Sequence, residues 1–197
     1  MKEKYFIGVD LGQVRDHSAI AITEASESLG TERDRATWQL PIYSHLTLRH
    51  LERLPLGTEY TRVAARVARV ATALAPRGPV TVVVDATGVG KPVVEMLRRE
   101  GIGKQLVPVV ITGGLTVSES GGLFSVGKRE LISELRILVE RRELGIAWDL
   151  EGMDILVEEM AGMRASTLSG DRDDAVIALA LAVWRARRGA KAGPLRL

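Results

Sequence analysis

An α/β domain is the fold class this sequence predicts: a five-stranded mixed sheet, three antiparallel strands followed by parallel ones, flanked by helices. Three observations carry that expectation. Strand-like runs open the chain without helices between them, a helix-strand-helix-strand alternation follows, and helical patterns alone fill the remainder. At 197 residues, with 46% apolar and 26% charged side chains, the chain has the size and composition of one globular core.

Tyr5-Phe6-Ile7-Gly8-Val9 is a short run of strand formers, and His17-Ser18-Ala19-Ile20-Ala21-Ile22-Thr23 is a second, rich in small and β-branched residues. Between them Gly12-Gln13-Val14-Arg15-Asp16 has the length of a hairpin link. A polar loop over 24–35 precedes an alternating third strand over 37–48, where Pro41 suits an edge because proline cannot donate to a sheet ladder.

Val63, Val67, Val70 and Leu74 recur at helical spacing and predict a helix over 59–75, with Arg62, Arg66 and Arg69 on a neighbouring stripe. Such a stripe suits a solvated face or a DNA backbone. Pro76, Gly78 and Pro79 end the helix, and Val80-Thr81-Val82-Val83-Val84 is apolar enough for a strand covered on both sides. A helix over 91–100 and a fifth strand over 106–111 complete the alternation. Five glycines lie between Thr112 and Gly127, a hairpin-forming or mobile segment. Helices over 128–143, 151–163 and 173–188 follow. Residues 1–188 read as one domain and 189–197 as a basic tail.

The 27 basic and 25 acidic residues nearly cancel, so net charge does not announce a nucleic-acid partner. Distribution says more. Arg185, Arg187, Arg188, Lys191 and Arg196 end the chain with no acidic residue among them. The absence of cysteine excludes disulfides and thiolate metal sites, and no apolar run approaches the ~20 residues that span a bilayer. These features predict a cytoplasmic protein with no membrane partner.

Asp10 ends the first strand, Asp85 ends the fourth, and Asp173-Asp174 opens the last helix. In open α/β sheets ligands lie beyond the carboxyl ends of the strands, where both strand-borne acids stand. Unit charges ~4 Å apart repel by about 4 kcal/mol at an effective dielectric of about 20, so gathered carboxylates call for a cation or raised pKa values. Carboxylate oxygen suits Mg²⁺ and Mn²⁺, and those ions suit phosphate esters.

Asp85-Ala86-Thr87-Gly88-Val89-Gly90-Lys91 superficially resembles a phosphate-binding loop, but Asp85 stands where the motif's first glycine belongs and Pro92 where its hydroxyl residue belongs. No P-loop is assigned. Asp174 shares a helical face with Ile177, Ala178 and Leu181, which turns its carboxylate toward the buried side. Helix capping by Asp171, with the helix dipole favouring acids in the first turn, would account for one or two of these acids, but less well for Asp174. His17 reads as a strand residue and Trp184 as core.

Taken together, Ile7-Gly8-Val9-Asp10-Leu11-Gly12 with Asp16-His17-Ser18-Ala19-Ile20, Val84-Asp85-Ala86-Thr87-Gly88-Val89-Gly90, Lys128-Arg129-Glu130-Leu131-Ile132 and Asp173-Asp174-Ala175-Val176-Ile177-Ala178-Leu179-Ala180 resemble the nuclease domain of viral terminase large subunits, in the ribonuclease-H-like superfamily. The resemblance spans nearly the whole chain. It implies a ribonuclease-H-like fold and an endonuclease that cuts double-stranded DNA with two Mg²⁺ or Mn²⁺ ions. Asp10 and Asp85 would be strand-borne metal ligands and catalytic residues, with Asp174 or Asp173 closing the site and Asp171 a lesser candidate.

Lys128 and Arg172 would meet phosphate. Many members carry a histidine where Arg172 stands, so one proton-transfer group is missing here. The family's large subunits carry an ATPase domain before the nuclease, whereas no Walker motif occurs in this sequence. A terminase ATPase domain, a small subunit or a portal are the partners the resemblance implies. The competing readings are a Holliday-junction resolvase-like nuclease, a non-catalytic DNA-binding or assembly domain, and a sugar-kinase-like ATP-binding fold, for which the chain is short.

Overall fold

In a computed structural model, which describes residues 3–12, 16–88, 90–114, 116–165 and 172–190, the chain forms one mixed sheet between two helical layers. The strands are β1 (Lys4–Asp10), β2 (Ala19–Leu29), β3 (Ile42–Arg53), β4 (Val80–Asp85), β5 (Leu106–Thr112), β6 (Ser118–Ser120), β7 (Leu123–Gly127) and β8 (Leu144–Ile146). The helices are α1 (Tyr60–Leu74), α2 (Gly90–Leu97), α3 (Lys128–Glu140), α4 (Met153–Ala165) and α5 (Asp174–Ala190). The sheet order is β6-β7-β5-β4-β1-β2-β3-β8.

The antiparallel opening and parallel continuation are as the sequence predicts: β1 pairs antiparallel with β2 and β2 with β3, whereas β4 joins β1 and β5 joins β4 in parallel. Eight strands replace the expected five. The glycine-rich segment supplies the β6-β7 hairpin, and the three-residue β8 covers part of β3, which is therefore not an edge along its whole length. β2 also extends into the predicted polar loop, and β3 starts and ends later than expected. Beyond Ala25, which lies opposite Lys4, the two strands pair with no β1 neighbour and form a ribbon.

Strand alternation divides the core. Tyr5, Ile7 and Val9 of β1 join Val80, Val82 and Val84 of β4 against Val63, Val67 and Ala71 of α1 and Val93 and Leu97 of α2. Phe6 packs on Ala182 and Ala186 of α5, and Val83 lies in the cluster formed with α3, α4 and α5. Asp10 and Asp85, in phase with Phe6 and Val83 along their strands, therefore belong to the α5 face. α5 is buried along Ala175–Val183, the pattern of a helix enclosed by sheet and other helices. It runs to Ala190, into the predicted tail, and residues 191–197 lie outside the described residues.

Among the described residues, no helix is long and apolar enough to cross a membrane.

Candidate metal centre

At Gly8 the backbone of α5 lies so near the sheet that a side chain has no room. A Cβ there would overlap the Ala178 carbonyl, so only glycine allows this contact. Gly8 lies two residues before Asp10 on the same strand face, and Ala178 lies one helical turn after Asp174. The contact thus carries the start of α5 to the carboxyl end of β1.

Asp10 and Asp85 end neighbouring parallel strands, with Val9 and Val84 in register just before them. Beyond β4 the chain turns sharply: the Thr87 N–H donates to Asp85 Oδ1 at 2.8 Å, the Ile111 N–H donates to Thr87 Oγ1 at 2.7 Å, and Gly88 has φ of 75°. Asp85 is therefore held by its own turn, and the turn is held by β5. Thr87 is a positioning residue that the sequence reading passed over.

The acids perturb one another. Burial raises the pKa of Asp10 well above the ordinary carboxylate value, and the charges of Asp85, Asp174 and Asp173 raise it further, with Lys128 opposing them. Asp174, 9% exposed, is pushed up to about 6 by burial, then by Glu159 and Asp173, against the lowering effect of Arg53. Asp16, exposed in the β1-β2 link, adds to that rise. Burial also raises Asp85, while its bonds to Thr87 and the charge of Lys128 pull it back.

Asp173 has a different partner from Asp174. Its Oδ2 accepts from Lys128 Nζ at 2.5 Å, joining the starts of α3 and α5. Its carbonyl accepts from the Ile177 N–H at 2.8 Å, which makes Asp173 the N-cap residue of α5. Arg172 is exposed beside it. Asp171 lies outside the described residues. Of the predicted site residues, Asp10, Asp85, Asp173, Asp174 and Lys128 thus share one neighbourhood. The arginine stripe does not: α1 covers the other face, where Arg66 is bonded to Glu52 at 2.8 and 2.9 Å.

Sequence reasoning missed Glu159 of α4, which accepts from Arg53 Nη1 at 3.1 Å and from the Val176 N–H at 3.0 Å. A signal was present: Glu159 interrupts the inward stripe Leu156, Met160, Met163 at helical spacing. His17 is a structural residue, its Nδ1 2.8 Å from the Leu54 carbonyl.

Among the described residues, no three acidic or imidazole side chains are gathered closely enough to ligate one ion as they stand. The donor set nevertheless suits a hard divalent cation, since it consists of carboxylate oxygens alone, and the mutual repulsion at Asp10 is what such an ion relieves.

No protein-family model and no curated protein matches the sequence. Solved structures do. The human cytomegalovirus terminase nuclease domain superposes with a TM-score of 0.58 at 11% identity, covering 93% of this chain and 84% of that one. Its Mn-soaked form gives 0.55 at 11% identity, and its Mn-soaked, inhibitor-bound form 0.51 at 13%, each covering 91% of this chain and 81% of the other. At such identities the likeness is one of fold. The chain has the ribonuclease-H-like fold of that nuclease domain.

Proposed function

We propose that the chain is a divalent-metal-dependent endonuclease that cleaves DNA phosphodiester bonds, with Asp10, Asp85 and Asp174 as metal ligands. The observation that carries this reading is the approach of carboxylates from two adjacent strand ends and a helix start, where burial raises all three pKa values and like charge adds to the rise at Asp10 and Asp174. The fold shared with the Mn-soaked cytomegalovirus domain supports it.

A pair of Mg²⁺ or Mn²⁺ ions would supply activation of water and stabilisation of the leaving oxygen in an in-line displacement at phosphorus. The protein's own part is to hold and shape. Asp10 contributes the carboxylate on which the charges of Asp85, Asp174 and Asp173 converge. Asp85 is kept from rotating by the Thr87 N–H, and Asp174 is fixed by the buried helix behind it. Lys128, tied to Asp173 and close enough to lower the pKa of both strand acids, supplies the nearest ammonium for a phosphate oxygen. Asp173 is better placed to orient Lys128 than to ligate. Arg172, exposed at the same rim, offers a further phosphate contact.

Double-stranded DNA is the proposed substrate, with affinity carried by phosphate contacts and falling steeply with salt. A terminase ATPase domain, small subunit or portal are the proposed partners.

Digestion of supercoiled plasmid tests the reading. Nicking is expected with Mn²⁺ or Mg²⁺, not with Ca²⁺ or chelator, and not for a folded Asp85→Ala variant. An inert wild type overturns it in favour of a binding or assembly domain, and selective cleavage of four-way junctions over linear duplex would redirect it to a resolvase.

A further inference from the structure

Asp174 stands beside Asp10 only if the first turn of α5 keeps its place, and the Gly8 contact does not secure that turn. It lies one turn further along, at Ala178. The first N–H groups of a helix have no partner within it, and the N-cap side chain ordinarily accepts one of them. Here the N-cap carboxylate of Asp173 is bonded to Lys128. The Val176 N–H is met instead by Oε2 of Glu159, from α4, at 3.0 Å.

Glu159 is only 4% exposed, and its other oxygen is bonded to Arg53 at 3.1 Å. Arg53 ends β3 opposite Ala19, and Ala19 lies opposite Asp10. A row of paired residues therefore runs across the carboxyl end of the sheet from Asp10 to Arg53. The bonds Arg53 to Glu159 and Glu159 to Val176 then return to α5 just past Asp174. Asp10 and Asp174 thus stand near the two ends of one series of contacts. Cohesion alone is a poor reason for the acid on this stripe, because buried ion pairs often hold a fold no better than apolar residues of similar volume.

We propose that Glu159, held by Arg53, is a positioning residue for Asp174: capping α5 from a neighbouring helix, it sets where the Asp174 carboxylate meets the metal. This rests on the reading of Asp10, Asp85 and Asp174 as ligands.

Calorimetric titration of the full chain with Mn²⁺, at a temperature where circular dichroism shows each variant folded, tests it without relying on cleavage. Glu159→Ala is expected to weaken Mn²⁺ binding about 10-fold or more, as loss of a group that orients a metal ligand does. The paired variant R53M/E159Q keeps one acceptor for the Val176 N–H and leaves no arginine unpaired, so its affinity should stay within about threefold of wild type. If Glu159→Ala does not fold, Glu159→Asp replaces it with the same expectation, because the shorter arm cannot serve both partners.

Equal Mn²⁺ affinity in Glu159→Ala and wild type, whatever the melting temperature, overturns the proposal. So does loss of binding in R53M/E159Q as complete as in Glu159→Ala, which would make Glu159 a ligand itself. A wild type that binds no Mn²⁺ overturns the metal reading and this inference together, and the wild-type titration alone reveals that case.

Discussion

Under α1, Glu52 is gripped by Arg66 through two bonds at 2.8 and 2.9 Å, and Glu24 by Arg49 at 2.7 Å. Under α5, on the other face of the same sheet, the charges of Asp85 and Asp174 act on Asp10, with Lys128 the opposing cation at the strand ends and Arg53 at Asp174. Burial alone would raise the pKa of Glu52, yet the bonds from His50 and Arg66 outweigh it and lower the value to about 2. For Asp174 burial is reinforced by Glu159 and Asp173, and the value rises to about 6. Glu52 and Arg53 are chain neighbours on opposite faces, one in each regime. Paired acids are how a fold neutralises charge for itself. Acids left to face each other store a repulsion that a bound cation removes, and among the described residues the α5 face holds such acids at the strand ends.

Substituting one acid from each face gives the widest separation. Asp174→Asn is expected to lower Mn²⁺-dependent plasmid cleavage by roughly 10³-fold, equivalent to about 4 kcal/mol of transition-state stabilisation. Glu52→Gln should leave the cleavage rate within about twofold at a temperature where it is folded, because its partner Arg66 lies across the sheet from the cluster. Equal losses in the two variants would erase the distinction between the faces.

The same two variants should move stability in opposite directions when metal is absent. Asp174 has a folded pKa near 6 against an ordinary 3.8, so between those values the native state binds more protons than the unfolded one. Its charge therefore costs stability above about pH 6, and that cost disappears as pH falls below about 4. Glu52 is the reverse case. Its folded value near 2 lies below the ordinary 4.5, so its contribution is complete above about pH 4.5 and is lost as pH falls toward 2. Urea unfolding at pH 7.5 in chelator should find Asp174→Asn about 1–3 kcal/mol more stable than wild type, an advantage that vanishes at pH 4. Glu52→Gln should be about 1–2 kcal/mol less stable at pH 7.5, part of the bond's worth being screened at a partly exposed arginine. A destabilised Asp174→Asn would mean that its carboxylate is already compensated.

Much of this contrast was legible in residue order. β1 and β4 announce themselves by apolar runs that end in aspartate, and α1, α3 and α5 by spacing of three and four, so the meeting of Asp10, Asp85 and α5 follows from topology. Other features leave no periodic trace. β2 continues through Ser26-Glu27-Ser28-Leu29, where it is paired with β3 alone and becomes exposed toward its end, so no buried face imposes alternation. β8 is held by three register pairs and is too short to read. Asp173 and Asp174 differ by one step of helix rotation, which sends one to Lys128 and buries the other, and only the neighbouring helices decide which. Glu159 matters through Arg53, 106 positions away in sequence, a pairing that spacing cannot suggest.

The smallest expected effect lies at Glu24 and Arg49, the other pair under α1. Their bond is bidentate, at 2.7 and 3.2 Å, as the Glu52 bond is, but the Arg49 side chain is 49% exposed. Geometry is therefore nearly matched and solvent access is not. In water the attraction is screened and ordering two long side chains offsets much of what remains, so such pairs contribute about 0–1 kcal/mol. Glu24→Gln should lower unfolding free energy by no more than that, and the difference should shrink when salt is raised from 0.05 to about 0.5 M, where the Debye length falls to a few ångströms. Glu52→Gln should retain more of its cost at the same salt, because its arginine partner is less exposed, at 36%, than Arg49. If Glu24→Gln proved as costly and as salt-resistant as Glu52→Gln, bond geometry rather than burial would govern the α1 face, and the low pKa of Glu52 would owe less to its surroundings than to the shape of the arginine fork.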